Sequence, residues 1–267
     1  MVEGVAEEIK ALIQERGKIT FAQFMEMAAF SPQGGYYTSQ PGGVGRDFYT
    51  APTAHPIFGA LVALQLEQLW ELLGSPSPFY VIEVGAGSGI LARDTLAYAS
   101  SLPSGFSQAL EYVVVDYASP LRPLGQAHRV KGRGLPFRDV VGCILSNELL
   151  DSFPVHRFAI QEGRVQEVYV TLRDGVLTEV MDEPSKARIE ERLLGLGLDL
   201  SEGFQGEINL ALEEWTEEVS RALRRGFALT FDYGGLAPEL YSPQLRRGTL
   251  RCYYRHIRQS NPYHRPG

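Results

Sequence analysis

With 267 residues, 44% of them hydrophobic and 21% charged, the chain can bury a full core and holds one large domain or a domain with an appendage. Its apolar runs fall short of the ~20 residues that span a bilayer, and its start, Met1-Val-Glu-Gly-Val-Ala-Glu-Glu8, is acidic, so a cytoplasmic protein without a membrane segment is expected. A net charge of −7 argues against a nucleic-acid footprint; Cys143, Cys252 and the histidines at 55, 128, 156, 256 and 264 lack ligand spacing, so neither disulfide nor metal is expected.

In chain order, 5–15 reads as a helix closed by a turn at Gly17, and Thr20 caps a second helix over 21–28 that Ser31-Pro32 stops. The glycine- and aromatic-rich stretches 33–37 and 41–50 read as a loop of the length that carries function. A long helix begins near Thr53, runs through Ile57, Leu61, Leu64, Leu69 and Leu73, and breaks at Gly74-Ser-Pro-Ser-Pro78. That break divides an N-terminal helical cap with its covering loop, 1–78, from a main domain, 79–267.

The main domain alternates strand and helix. Strands are expected near 79–84, 111–116, 130–137, 140–146 and 227–232, with a helix over 90–99, which predicts an α/β fold with a parallel sheet covered on both faces. Between them, 155–160, 164–171 and 176–181, separated by Glu162-Gly163 and Asp174-Gly175, predict a small antiparallel insertion spanning 155–205. A helix over 209–224 carries Leu212, Trp215, Val219 and Leu223 on one side and ends at Arg224-Arg225-Gly226. The 236–267 tail is basic: from Tyr241 to Gly267 it has six arginines, no acidic residue, and Tyr253 and Tyr254 among them. A solvated face explains this most simply, and a contact surface for an acidic partner or RNA is the sharper alternative.

Candidate chemistry centres on Glu83-Val-Gly-Ala-Gly-Ser-Gly89, where a buried strand passes into a helix. Glycines at 85, 87 and 89 depart from the G-x-G-x-x-G dinucleotide fingerprint. Glu83 suits the α-ammonium of S-adenosylmethionine, directly or through water, and Asp116 at the next strand end suits both ribose hydroxyls. Gly85, Ala86, Gly87, Ser88, Gly89 and Asn147 complete the expected cofactor set. Asn147, Glu148 and Asp151 fall where a doubly wound sheet binds its ligands, and the two carboxylates can clamp a guanidinium so that one nitrogen faces the methyl carbon. Asp151 also reads as an ordinary helix N-terminal acid.

Several segments together resemble the MidA-like S-adenosylmethionine-dependent methyltransferases: Phe24-Met25 with Gly35-Tyr-Tyr37, Asp47-Phe-Tyr-Thr-Ala-Pro52, Val81 to Gly89, Asn147-Glu-Leu-Leu-Asp-Ser-Phe-Pro-Val155, Arg225 to Gly234, and Gly248 to Arg251. The resemblance implies a Rossmann-like class I methyltransferase sheet with an N-terminal helical cap, S-adenosylmethionine as cofactor, and a protein arginine side chain as acceptor, as in the family's mitochondrial member, which acts in complex I assembly. It further implies that the loop with Asp47 and Thr50 lies over the cofactor, and that Asp232 and Tyr233 follow a sheet strand and face the pocket. Thr53 stands where the family has an acid. Five strands are counted where this fold has seven, so the segment completing the sheet is expected to be missing, the alternative being that the basic tail replaces it. A nicotinamide oxidoreductase, a non-catalytic assembly factor and an RNA methyltransferase are the competing classes; glycine spacing disfavours the first, and the third wants N/D-P-P-Y/F where Asn147-Glu-Leu-Leu150 stands.

Overall fold

The computed structural model describes residues 3–39, 47, 49–117 and 124–267. The chain divides into two compact units, one of residues 1–39, 152–212 and 233–267, the other of 40–151 and 213–232.

The second unit is built on a parallel sheet of Phe79–Val84, Leu110–Asp116, His128–Lys131, Val140–Asn147 and Leu223–Phe231. In space the order is 223–231, 140–147, 79–84, 110–116, 128–131. Both faces are covered, so the central strands are apolar almost without interruption. Alternation along each strand sends Phe79, Val81, Tyr112, Val114, Cys143 and Leu145 into one core cluster, with Val62, Leu66 and Leu69 of helix Ile57–Leu72 and Leu91 of helix Ile90–Ala99. Ile82, Val84, Val113, Val115 and Ile144 point the other way, toward Val219 and Ala222 of helix Ala211–Ala222. Strand order reverses between 79–84 and 140–147, and a doubly wound sheet binds its ligands outside the carboxyl ends at that reversal.

The first unit carries an antiparallel sheet of Ile19–Thr20, His156–Gln161, Arg164–Arg173, Val176–Asp182 and Gln205–Ile208. The expected meander forms its middle, turning at Glu162-Gly163 and Asp174-Gly175 with all four residues in the left-handed region. Helices Glu3–Arg16 and Phe21–Phe30 pack on it through Val5, Ile9, Ile13, Phe21 and Phe24, against Val170. Thr20 caps the second of these by accepting the Gln23 N–H at 3.1 Å, while the Gln23 side chain accepts the Thr20 N–H at 3.0 Å.

The structure alters several expectations. Residues 1–78 do not form one unit: the Val5, Ile9, Ile13 stripe buries on the antiparallel sheet, whereas helix 57–72 buries on the parallel one. The helix expected from Thr53 is two, Ala51–Ala54 and Ile57–Leu72, because His55 is extended and Pro56 opens the second. The strand expected over 130–137 is His128–Lys131. The tail does not stand in for strands of the parallel sheet; it folds into Ala237–Leu240 and a separate hairpin, Cys252–Tyr254 with Ile257–Gln259. Among the described residues no helix is long and apolar enough to cross a membrane.

Arg224-Arg225-Gly226 is not a helix end either. The helix stops at Ala222 and the strand starts at Leu223, with Gly226 in register with Gly142 and Gly142 in register with Tyr80. A Cβ on Gly226 would lie 2.0 Å from the Gly142 carbonyl oxygen, and one on Gly142 would lie 1.9 Å from that of Tyr80. These glycines let three strands approach closely. Gly142→Ala is therefore expected to lower unfolding free energy in urea by at least ~2 kcal/mol, while Gly132→Ala, which meets nothing within 4 Å, stays within about 0.5 kcal/mol.

Candidate cofactor and acceptor site

The loop that leaves Val84 holds three glycines in the left-handed region, Gly85 at φ +74°, Gly87 at +54° and Gly89 at +78°, conformations that only glycine adopts readily. Its N–H groups are partly committed: Gly85 donates to the Val115 carbonyl at 2.9 Å, Gly87 to Asp116 Oδ2 at 2.8 Å, and Gly89 to the Ala86 carbonyl at 2.8 Å. A side chain at 85 would strike Leu149 and one at 89 would strike Leu124, but one at 87 would meet nothing within 4 Å. Gly87 thus leaves open space over bare backbone, and Ala86 and Ser88 flank it. Asp116 holds that loop to the neighbouring strand with the same carboxylate expected to face a ribose.

Glu83 lies on the strand face covered by helices 57–72 and 90–99 and is only 3% exposed. The Tyr112 hydroxyl donates to its Oε2 at 2.8 Å. Burial pushes the Glu83 carboxyl up to about 7; the Tyr112 hydrogen bond and the Arg129 charge oppose the rise, and the charge of Asp116 adds to it. One carboxylate oxygen is therefore engaged inside the core, and any contact with an ammonium falls to the other.

At the carboxyl end of 140–147, Asn147 sits in register with Phe231, and the Ser146 and Thr230 hydroxyls pair at 3.0 Å. Glu148 follows at φ +48°, unusual for a residue with a side chain, and donates its N–H to the Phe231 carbonyl at 2.8 Å. The next two N–H groups, of Leu149 and Leu150, donate to Asp232 Oδ2 at 3.0 and 2.7 Å. Asp232, implied by resemblance to face the pocket, holds the segment carrying Glu148 and Asp151 through charge-assisted bonds to its backbone. Asp151 is exposed in the first turn of the 3-10 helix Leu150–Ser152.

Of the expected covering loop, residues 40–46 and Phe48 lie outside the described residues. Asp47 is buried at 9% exposure. Thr50 opens helix Ala51–Ala54, its N–H donating to Thr53 Oγ1 at 3.0 Å, so Thr53 supplies without charge the reciprocal cap that an acid would make at that position. Tyr233 falls in the antiparallel unit and is 73% exposed. The parallel unit therefore gathers Glu83, the 85–89 loop, Asp116, Asn147, Glu148, Asp151 and Asp232 at the ends of neighbouring strands. Two contributors went unforeseen. Tyr112, four residues before Asp116 and so on the same strand face, was legible only as part of a β-forming run; Leu149, which a side chain at 85 would strike, carried no signal of its own.

A parallel sheet with a glycine loop at its order reversal and acids at the ends of neighbouring strands defines a Rossmann-like fold of the nucleotide-cofactor class. The family model described as "Putative S-adenosyl-L-methionine-dependent methyltransferase" matches residues 61–267, and the chain belongs to that family. It is similar to the protein arginine methyltransferase NDUFAF7 homolog, mitochondrial, of Drosophila melanogaster, 29% identical, covering 86% of this chain and 60% of that one. The Bos taurus protein arginine methyltransferase NDUFAF7, mitochondrial, is 33% identical over 83% of this chain and 57% of its own. This chain thus spans less than two thirds of these relatives. A Burkholderia thailandensis crystal structure bound to S-adenosyl-homocysteine has a TM-score of 0.88 and 30% identity, covering 100% of this chain and 71% of that one. The relatives' mitochondrial names overturn the expected cytoplasmic location, which rested on composition and an acidic start, neither of which specifies a compartment.

Because Glu83 holds its proton to about pH 7 when folded and to about 4.5 when unfolded, folding takes up a proton in that window. Its contribution to stability is present below pH 4.5 and lost as pH rises through 7, a difference of a few kcal/mol. Urea midpoints at pH ~5 and ~8 should differ in that direction, and Glu83→Gln, which cannot ionise, should remove this part of the difference.

Proposed function

We propose that this chain binds S-adenosylmethionine at the 85–89 loop and transfers its methyl group to an arginine side chain of a protein. The carrying observation is the meeting of the glycine loop, tied by its Gly87 N–H to Asp116, with Glu148 and Asp151 at the next strand end. Family membership and the S-adenosyl-homocysteine complex of the Burkholderia protein support the cofactor, and the names of the curated relatives support the acceptor.

The residues present fit that cofactor. Open space over Gly87 admits a ligand against bare backbone, Asp116 offers a carboxylate to ribose hydroxyls, and Glu83 offers one to an α-ammonium, whose positive charge would draw its proton off. Bound there, the cofactor supplies a methyl group activated on a sulfonium. The chain then has to place the nucleophile in line and keep water out. Glu148 and Asp151 would hold the guanidinium, Asn147 would orient the cofactor and acceptor, and Asp232 would position the pair by fixing the backbone between them.

Three measurements test this. Calorimetry should detect S-adenosyl-homocysteine binding that Asp116→Ala weakens by about tenfold or more; binding of NAD in its place would overturn the cofactor assignment. Methyl-labelled cofactor incubated with the chain and a lysate, followed by hydrolysis, should place label in methylarginine, and label in another residue would sink the acceptor assignment. Glu148→Gln should cut transfer by about a hundredfold with cofactor affinity nearly unchanged; Asp232→Ala should do so by about tenfold, and Asp232→Asn, which keeps an oxygen acceptor for Leu149 and Leu150, should recover most of that loss.

A further inference from the structure

The proposed reaction makes no use of the basic tail. Its hairpin pairs Cys252 with Gln259, Tyr253 with Arg258 and Tyr254 with Ile257, and turns at Arg255 and His256. Both turn residues are in the left-handed region, at φ +50° and +62°. Two-residue turns of that hand ordinarily take asparagine and glycine, and side-chain-bearing residues there cost of order 1–2 kcal/mol each. The turn sets a guanidinium and an imidazole at the tip. Tyr253 and Arg258, as direct cross-strand partners, share one face of the hairpin. On the other, the Tyr254 ring lies 5.3 Å from the Arg255 guanidinium and 4.9 Å from that of Arg265.

All six tail arginines, at 246, 247, 251, 255, 258 and 265, are exposed, and no acidic residue lies between Tyr241 and Gly267. Apolar surface accompanies the charge: Tyr253 is 50% and Ile257 64% exposed. The segment bearing the hairpin is anchored on both sides. Before it, the Thr249 N–H donates to Glu207 at 2.7 Å; after it, Tyr263 packs edge-on against Phe24 with centroids 5.2 Å apart and donates to Glu179 at 2.8 Å. An ordered platform of this kind loses little entropy on binding.

We propose that the 252–259 hairpin is a docking surface for an acidic protein segment that carries an apolar side chain. Arginine forks match carboxylates in bidentate fashion, and a short acidic segment offers them charge at close range. A long polyanion such as RNA would extend past the hairpin and meet the repulsion of a chain whose net charge is −7, aliphatic Ile257 provides no face for base stacking, and the Tyr254 ring is already faced by the Arg255 and Arg265 guanidiniums. The proposal goes beyond the methyl-transfer reading and is independent of it, since the surface belongs to the antiparallel unit and its test uses no cofactor.

The test is fluorescence anisotropy on the full chain with a fluorescein-labelled dodecapeptide of aspartate and glutamate around a central leucine and phenylalanine. Expected are binding in the micromolar range, a loss of about tenfold or more in the Arg255→Glu, Arg258→Glu double variant, and a loss of a few-fold in Tyr253→Ala. A lysine counterpart that binds equally well, a double variant that binds unchanged, or an oligouridylate that binds more tightly than the peptide would overturn the proposal. Should the double variant lose its circular-dichroism signature, Arg258→Gln and a salt titration of the unaltered chain decide, and an affinity indifferent to salt would likewise overturn it.

Discussion

Parallel pairing of Phe79–Val84 with a neighbour on each side is the constraint on which the parallel unit's site depends. Because all five strands of that sheet run the same way, every carboxyl end opens on one side of it. The glycine loop, Asp116, Asn147 with Glu148, and Asp232 each lie at the end of a different strand and so are neighbours despite lying up to 147 positions apart in sequence, from 85 to 232. Gly142 and Gly226 make this possible at the crowded side, where the Tyr80, Gly142 and Gly226 backbones lie in register.

Stability is spent at two points of that site. Glu83 is buried beside Tyr112 in a position that favours its neutral form, and Glu148 is kept in the left-handed region by backbone bonds to Phe231 and Asp232. The first weighs against folding as pH rises through 7 and the second at any pH, and both sit where a cofactor and an acceptor would converge. Costs concentrated in this way are characteristic of sites whose geometry is set before the ligand arrives.

Local chemistry made much of this legible in the sequence. Continuous apolar runs marked the parallel strands, Glu162-Gly163 and Asp174-Gly175 marked the hairpins, and the spacing of Gly85, Gly87 and Gly89 marked the loop, because each depends on neighbouring residues alone. What escaped depends on distant partners. Gly226 looked like a helix terminator because the close approach of Gly142 is invisible in sequence, and the hold of Asp232 on the backbone of Leu149 and Leu150 went unread because they lie more than 80 positions earlier. The N-terminal helices looked like a cap because their apolar stripe does not say which sheet it covers. Thr53, a departure when compared by residue type, proves to make the cap bond that its position requires.

The antiparallel unit is assembled from three separate stretches, 1–39, 152–212 and 233–267, so the chain passes between units four times. Its core cannot close until the last stretch has been made, since Tyr263 and Leu250 pack with Phe21 and Phe24 from the first. Such contacts span nearly the whole chain, and the loop-closure entropy they carry makes them late to form. The parallel unit is complete at residue 232, and by residue 208 the antiparallel sheet already gives the two N-terminal helices a surface to pack on, so what stays open is the side of Phe21 and Phe24 that meets Tyr263. For this chain, the exposed aromatic edge that lasts from residue 208 to residue 263 is what a chaperone would have to hold.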